Sequence, residues 1–198
     1  RCCLKRPHAT VGGWAWRNRL RSPARSYTAR RWPSFPKTRG PNAPSGSRFV
    51  IMNTISTLTA ADLATAFTIE QASHAFPWTE TTFASNQGDR YLNLKLSADG
   101  EMAGFAITQI VLDEATLFNI AIHPQYQRRG FGRLLLNALI ERLESRGVVT
   151  LWLEVRASNQ AAIALYEDLG FNEVTVRRNY YPSAHGREDA IVMALPLA

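Results

Sequence analysis

From Gln127 to Arg133 the chain reads Gln-Arg-Arg-Gly-Phe-Gly-Arg, three arginines set around two glycines one residue apart. Ile120-Ala121-Ile122 before it has the character of a strand end, and a helical period starts at Phe131, so the segment is strand, tight basic loop, helix start. Such a turn can hold an anion. Gly130 and Gly132 let the backbone come close to a ligand, the first N–H groups of a helix lack intrahelical acceptors, and Arg128, Arg129 and Arg133 add positive charge. The plainer alternative is that the glycines serve the geometry of the turn alone. The third glycine of a dinucleotide fingerprint is missing, and no Gly-Lys-Ser/Thr follows to make a nucleotide-phosphate loop.

Glu154 is the only acid in the nearly unbroken apolar run from Val149 to Val155. Desolvation in such a strand disfavours a charged carboxylate and is expected to raise its proton affinity toward that of a useful base; the alternative is a strand-end carboxylate paired with an arginine. Positions 52–198 hold no cysteine, and their histidines, His74, His123 and His185, are scattered with no His-Glu-x-x-His spacing. Thiol nucleophiles and disulfides are excluded there, no metal site is expected, and a reducing cytoplasmic compartment is allowed.

These residues need elements to carry them. Asp62 to His74 has the period of an amphipathic helix, with Leu63, Ala66, Phe67 and Ile69 near one face and Thr59 available as its cap; a short helix is expected after Pro77. Tyr91 to Leu96, Met102 to Leu112 and Ala115 to Ile122, separated by Asp99-Gly100 and Asp113-Glu114, predict an antiparallel meander. Phe131, Leu134, Leu135, Ala138, Leu139 and Leu143 predict a core-facing helix ending at Gly147. Val149 to Val155 is expected to be a strand covered on both faces, followed by a helix from about Gln160 to Leu169 closed by Gly170-Phe171. Strands near Glu173 to Arg178 and Ala190 to Leu195 complete an α/β (α+β) domain with one mixed β-sheet and flanking helices.

The 198-residue chain carries a formal charge of +7, which at first suggests a nucleic-acid binder. The charge is unevenly placed. Positions 1–51 contain 12 basic residues and no acid, whereas positions 52–198 contain 11 basic and 16 acidic residues. High charge and six prolines leave positions 1–51 too little burial to offset chain entropy, so they are expected to be disordered. An organellar leader or an RNA-binding arm would have this composition; translation of sequence upstream of a start at Met52 is the favoured expectation. Positions 52–198 suffice for one domain. Met102 to Leu112, the longest apolar-looking stretch, is too short to span a bilayer.

Gln127-Arg128-Arg129-Gly130-Phe131-Gly132 resembles the Q/R-x-x-G-x-G/A signature of the GNAT acyltransferases. Asn159-x-x-Ala162-x-x-Leu165-Tyr166 ending in Leu169-Gly170-Phe171 is similar to their second signature at the correct spacing. Ala75-Phe76-Pro77-Trp78, Leu151 to Arg156, Arg178 to Pro182 and Glu188-Asp189-Ala190 resemble the branch that acetylates the N-terminal alanine of small-subunit ribosomal protein number eighteen. The resemblance covers nearly all of positions 52–198.

It implies acetyl-CoA as co-substrate without a metal, with its pyrophosphate on Arg128, Arg129, Gly130, Phe131, Gly132 and Arg133 and its pantetheine along the backbone of Ile120, Ala121 and Ile122. It also implies Glu154 as base, acting through water, and Tyr166 as acid toward the CoA sulfur; a core aromatic is the plain alternative for Tyr166. Asn159 is expected to cap its helix, to contact pantetheine, or both. His74, Phe76, Trp78, Arg178, Tyr180 and Tyr181 are candidates for the peptide groove, with ordinary packing as the alternative. The implied partner is a ribosomal-protein N-terminus in the cytoplasm, without stable nucleic-acid or membrane binding. The rivals are the same chemistry on a lysine, polyamine or antibiotic amine, and a non-catalytic ribosome or RNA binder that uses the basic arm.

Overall fold

The computed structural model describes residues 53–197; the expectations for positions 1–51 and for Met52 lie outside them. The elements are β1 (Thr54–Thr57), α1 (Leu63–Ser73), α2 (Glu80–Ser85), β2 (Leu94–Ala98), β3 (Glu101–Val111), β4 (Glu114–Ile122), α3 (Phe131–Glu144), β5 (Thr150–Arg156), α4 (Gln160–Asp168), β6 (Asn172–Ser183) and β7 (Gly186–Pro196). They form one seven-stranded sheet in the order β1-β2-β3-β4-β5-β7-β6. Only β4 and β5 pair in parallel, because α3 carries the chain back between them; the other neighbours are antiparallel.

The predicted elements are found with altered ends. β1 was not anticipated, since its four residues, Thr-Ile-Ser-Thr, contain one aliphatic side chain and are mostly exposed. The last two strands run longer than their apolar centres because polar residues, from Arg177 to Ser183 and Gly186 to Asp189, continue the ladder. Before α1, the N–H and Oγ1 of Thr59 both donate to Asp62 Oδ2, at 2.8 and 2.7 Å. Lys95 on β2 reaches Asp62 Oδ1 at 2.5 Å. The Lys95 ammonium, with the Thr59 N–H, pulls the Asp62 carboxyl down to about 2 and ties the start of this helix to the sheet. α4 ends as expected: Phe171 N–H donates to Tyr166 O and Gly170 N–H to Glu167 O, the paired bonds of a Schellman ending.

Successive side chains of a strand point to opposite faces, and two apolar clusters follow from this. Phe105 and Ile107 join Ala66, Ile69 and Phe83 on the side of α1 and α2. Ala106 joins the leucines of α3 and Ile163 and Tyr166 of α4 on the other side. In α3 the buried stripe is Leu135, Leu136, Leu139 and Leu143, whereas Leu134 is 40% exposed. Leu135, Leu139 and Leu143 are buried as the sequence pattern predicted, Leu136 takes the place expected of Leu134, and Gly132 lies against Leu165 of α4. β5 departs more: Leu151, Leu153 and Val155 are buried, but Trp152, Glu154 and Arg156 on the opposite face are only partly so. The strand is closed on one face and half open on the other.

Gly104 faces Ile122 across the β3–β4 ladder so closely that a Cβ would lie 2.4 Å from Ile122 Cδ1 and 2.6 Å from the Ala121 carbonyl oxygen. The side-chain methyl can turn away; the backbone oxygen cannot. Gly104→Ala is expected to cost about 1–3 kcal/mol and to lower Tm by about 5 °C, measured by thermal denaturation.

Candidate active site

The site arises from a defect in sheet pairing. In the β3–β4 ladder Ile107 pairs with Asn119 and Thr108 with Leu117, so Phe118 is an extra residue, a β-bulge. Its consequence is a change of face: Ala115 and Leu117 join the α3 and α4 side, whereas Ala121 joins the α1 and α2 side. Pairing of β4 with β5 also stops there, at Leu117 with Leu153, although β4 runs to Ile122 and β5 to Arg156. Beyond that pair the parallel strands separate and leave a cavity of about 410 Å³, lined by Leu117 to Ile120 on one strand and Leu153 to Arg156 on the other.

Glu154 and Tyr166 both line this gap. Leu153 and Val155 share a cluster with Tyr166, so Glu154, between them in the strand, projects from the opposite face of the sheet. Two candidate proton-transfer groups thus meet the gap from its two sides. Tyr166 is 6% exposed and packs on Phe171 with ring centroids 5.6 Å apart. Its hydroxyl has no hydrogen-bond partner among the described residues. Burial, with a smaller contribution from Tyr181, pushes its pKa up to about 12.

Glu154 is not sealed, contrary to the expectation from its apolar strand. Its side chain is 25% exposed, and Arg177 Nη1 lies 3.2 Å from Oε1. The reason is the open face of β5: apolar neighbours in sequence point the other way. The arginine pairing weighed as an alternative to a desolvated base is thus present, from β6.

The remaining expected residues divide. Asn159 lines the cavity and caps α4, its Oδ1 accepting from Ala162 N–H at 3.2 Å, while its Nδ2 has no partner among the described residues. Ile120 lines the cavity, whereas Ala121 and Ile122 do not. The Ile122 carbonyl already accepts from Ser73 Oγ and Gln127 Nε2, at 3.1 and 2.8 Å. Residues 128–133 lie outside the cavity lining, at the start of α3. Gly130 is its left-handed N-cap residue, φ +81°, and the backbone N–H groups from Arg128 to Arg133 have no acceptor among the described residues. Arg128 and Arg129 are exposed, the latter over the Tyr126 ring. Arg133 is paired with Asp168 on α4.

His74, Phe76, Trp78 and Tyr181 line the cavity; Arg178 and Tyr180 do not. Tyr180 instead packs edge-on against Tyr181, and burial together with the Glu154 charge raises its pKa. Burial and Glu154 likewise push Tyr181 up to about 12. Arg156, which sequence reasoning did not single out, lies over both Phe76 and Tyr181, 5.2 and 4.5 Å from the ring centroids, and bonds to Glu188 and the Pro182 carbonyl. It joins the α1–α2 loop to the β6–β7 hairpin.

A second unforeseen residue is Glu70. Its side chain is 1% exposed, and it accepts from His74 Nδ1, Asn119 Nδ2 and Trp78 N–H at 2.7, 2.9 and 2.9 Å. Its signal in the sequence is an acid on the apolar face of α1, one turn after Ala66 and one turn before His74.

The sequence model described as acetyltransferase (GNAT) family matches residues 58–171. A [ribosomal protein bS18]-alanine N-acetyltransferase of Salmonella typhimurium is 72% identical over 147 residues, covering 74% of this chain and 99% of that protein. The protein of the same name from Escherichia coli K12 is 71% identical over the same shares. The crystal structure of the ribosomal-protein-S18-alanine N-acetyltransferase from Escherichia coli superposes with a TM-score of 0.73, covering 74% of this chain and 95% of that one. The split parallel pair, the basic turn opening α3 and these matches agree: the chain belongs to the acetyltransferase (GNAT) family.

Proposed function

We propose that this chain transfers the acetyl group of acetyl-CoA to the α-amine of the N-terminal alanine of ribosomal protein bS18, in the cytoplasm. The observation that carries the acceptor is the 72% identity to a bS18-alanine N-acetyltransferase, extending over 99% of that protein. The chemistry is supported by Glu154 and Tyr166 reaching one cavity from opposite faces of the sheet.

In this reading the unpaired N–H groups from Arg128 to Arg133, with the exposed Arg128 and Arg129, hold the pyrophosphate. Arg133 is a brace between α3 and α4. The β5-facing edge of β4 beyond Leu117 receives pantetheine as a strand would, and Asn159 adds its free amide. The amine nitrogen attacks the thioester carbon, a C–N bond forms and the C–S bond breaks. Glu154, through water, takes the proton released by the nitrogen, and Tyr166 donates to the departing sulfur.

The test is incubation of the full chain with acetyl-CoA and an alanine-starting bS18 peptide containing lysine, followed by mass spectrometry with fragmentation. One acetyl group is expected, on the α-amine. Acetylation of lysine side chains, or of a polyamine in a parallel reaction, with the α-amine left free would reject this acceptor.

A further inference from the structure

Glu70 is the one buried acid among the described residues, it lines the cavity, and the scheme above gives it no task. Burying a carboxylate costs several kcal/mol unless it is well hydrogen-bonded. Here burial acts to raise its pKa, but bonds from His74, the Trp78 N–H and Asn119 outweigh it and hold the group below the usual carboxylate range. Glu70 is therefore a fixed anion against the His74 ring.

An anion 2.7 Å from Nδ1 selects the tautomer with hydrogen on that nitrogen, so the lone pair of a neutral His74 sits on Nε2. His74 also lines the cavity, its side chain is 37% exposed, and Nε2 has no partner among the described residues. An imidazole backed by a buried carboxylate, with its other nitrogen bare, is the arrangement of a general base.

The reaction needs such a group. A peptide α-amine has an ordinary pKa of about 7.7–8.0, so near neutrality it arrives mainly as an ammonium. That ammonium sheds two protons on becoming an amide, one to expose the lone pair and one after attack. Glu154 takes the second, and Tyr166 supplies one to sulfur, so one proton must leave for solvent.

We propose that His74, oriented by Glu70, accepts the first proton: Nε2 takes it from the acceptor ammonium, leaving a neutral amine and an imidazolium paired with Glu70. The partly exposed ring then returns the proton to water. The other charged and titratable groups on the cavity are Glu154 and Arg156 of β5, Tyr166 of α4 and Tyr181 of β6. Arg156 is offset by Glu188 at 2.5 Å and Glu154 faces Arg177 at 3.2 Å, so Glu70 is the charge in direct contact with the ring. The inference rests on the α-amine acceptor proposed above.

The test compares full-length wild type with His74→Gln and Glu70→Gln across pH, using the alanine-starting peptide and an analogue bearing an aminooxy group in place of the α-amine. For the natural peptide, kcat/KM of His74→Gln is expected to fall about tenfold or more near pH 6.5 and to recover to within about twofold near pH 9, where the amine enters neutral. Glu70→Gln should show the same trend. With the aminooxy acceptor, neutral throughout, the variants should match wild type within about twofold at every pH. An equal loss at all pH values and with both acceptors, in both variants, overturns the proposal and leaves the pair a structural wall. Wild type failing on the alanine peptide would overturn the acceptor assignment and this inference with it; an active wild type with a flat variant ratio overturns this inference alone.

Discussion

Tyr166→Phe is expected to lower kcat for acetyl transfer by about 10²-fold or more while KM for acetyl-CoA stays within about threefold. The change removes one oxygen from a side chain whose ring is held by Phe171 and the α3–α4 cluster, so the packing survives. The hydroxyl bonds to none of the described residues, and its loss leaves no buried partner unsatisfied; stability should change by less than about 0.5 kcal/mol. In the proposed mechanism, what is lost is the donor to the departing sulfur. The sign of the pKa shift bears on the pH dependence: burial favours the neutral phenol, which stays protonated until about pH 12. Wild-type kcat should then show no alkaline fall from this group below about pH 11, since a phenol with its pKa near 12 stays a donor through that range. Steady-state kinetics and thermal melts of the two proteins check each part. A variant retaining more than about a tenth of wild-type kcat removes Tyr166 from the chemistry.

The second large effect is expected at Glu154. Glu154→Gln preserves size and hydrogen bonding but removes the proton acceptor, and kcat/KM should fall by about 10²-fold, a loss of about 2.7 kcal/mol of transition-state stabilisation. The ion pair with Arg177 provides the control. Arg177 is more than half exposed, and pairs of that kind contribute about 0–1 kcal/mol, too little to account for such a loss. Arg177→Met should therefore leave kcat/KM within about fivefold of wild type. If Glu154→Gln and Arg177→Met instead reduce activity equally, Glu154 acts through its partner and not as a base.

Much of the site was legible because its residues report on their own backbone. The Gly130 turn, the Asn159 cap and the Gly170-Phe171 ending are local, their hydrogen bonds spanning only a few residues, and the spacing of residue types is enough to read them. Other features were not. The exposure of Glu154 depended on which face of β5 received no helix. Arg133 was assigned to the loop by proximity in sequence, but its partner, Asp168, lies 35 residues away. Arg178 and Tyr180 resembled groove residues by composition and turned out beside it.

By itself the sequence determined the order of elements from α1 onward, the basic glycine-bearing turn at the start of α3 and the presence of an acid and a phenol on consecutive elements. These follow from periodicity, capping and glycine placement, which act over a few residues. Only the tertiary structure decided where the sheet opens. A single extra residue at Phe118 turns β4 away from β5, ends their pairing at Leu117 and Leu153, and lets Glu154 and Tyr166 meet across the gap. It also brings Asn119 to a carboxylate 49 residues earlier. Register and contacts between distant segments are settled by packing and by the need to satisfy a buried charge, and neither is written in the spacing of neighbours.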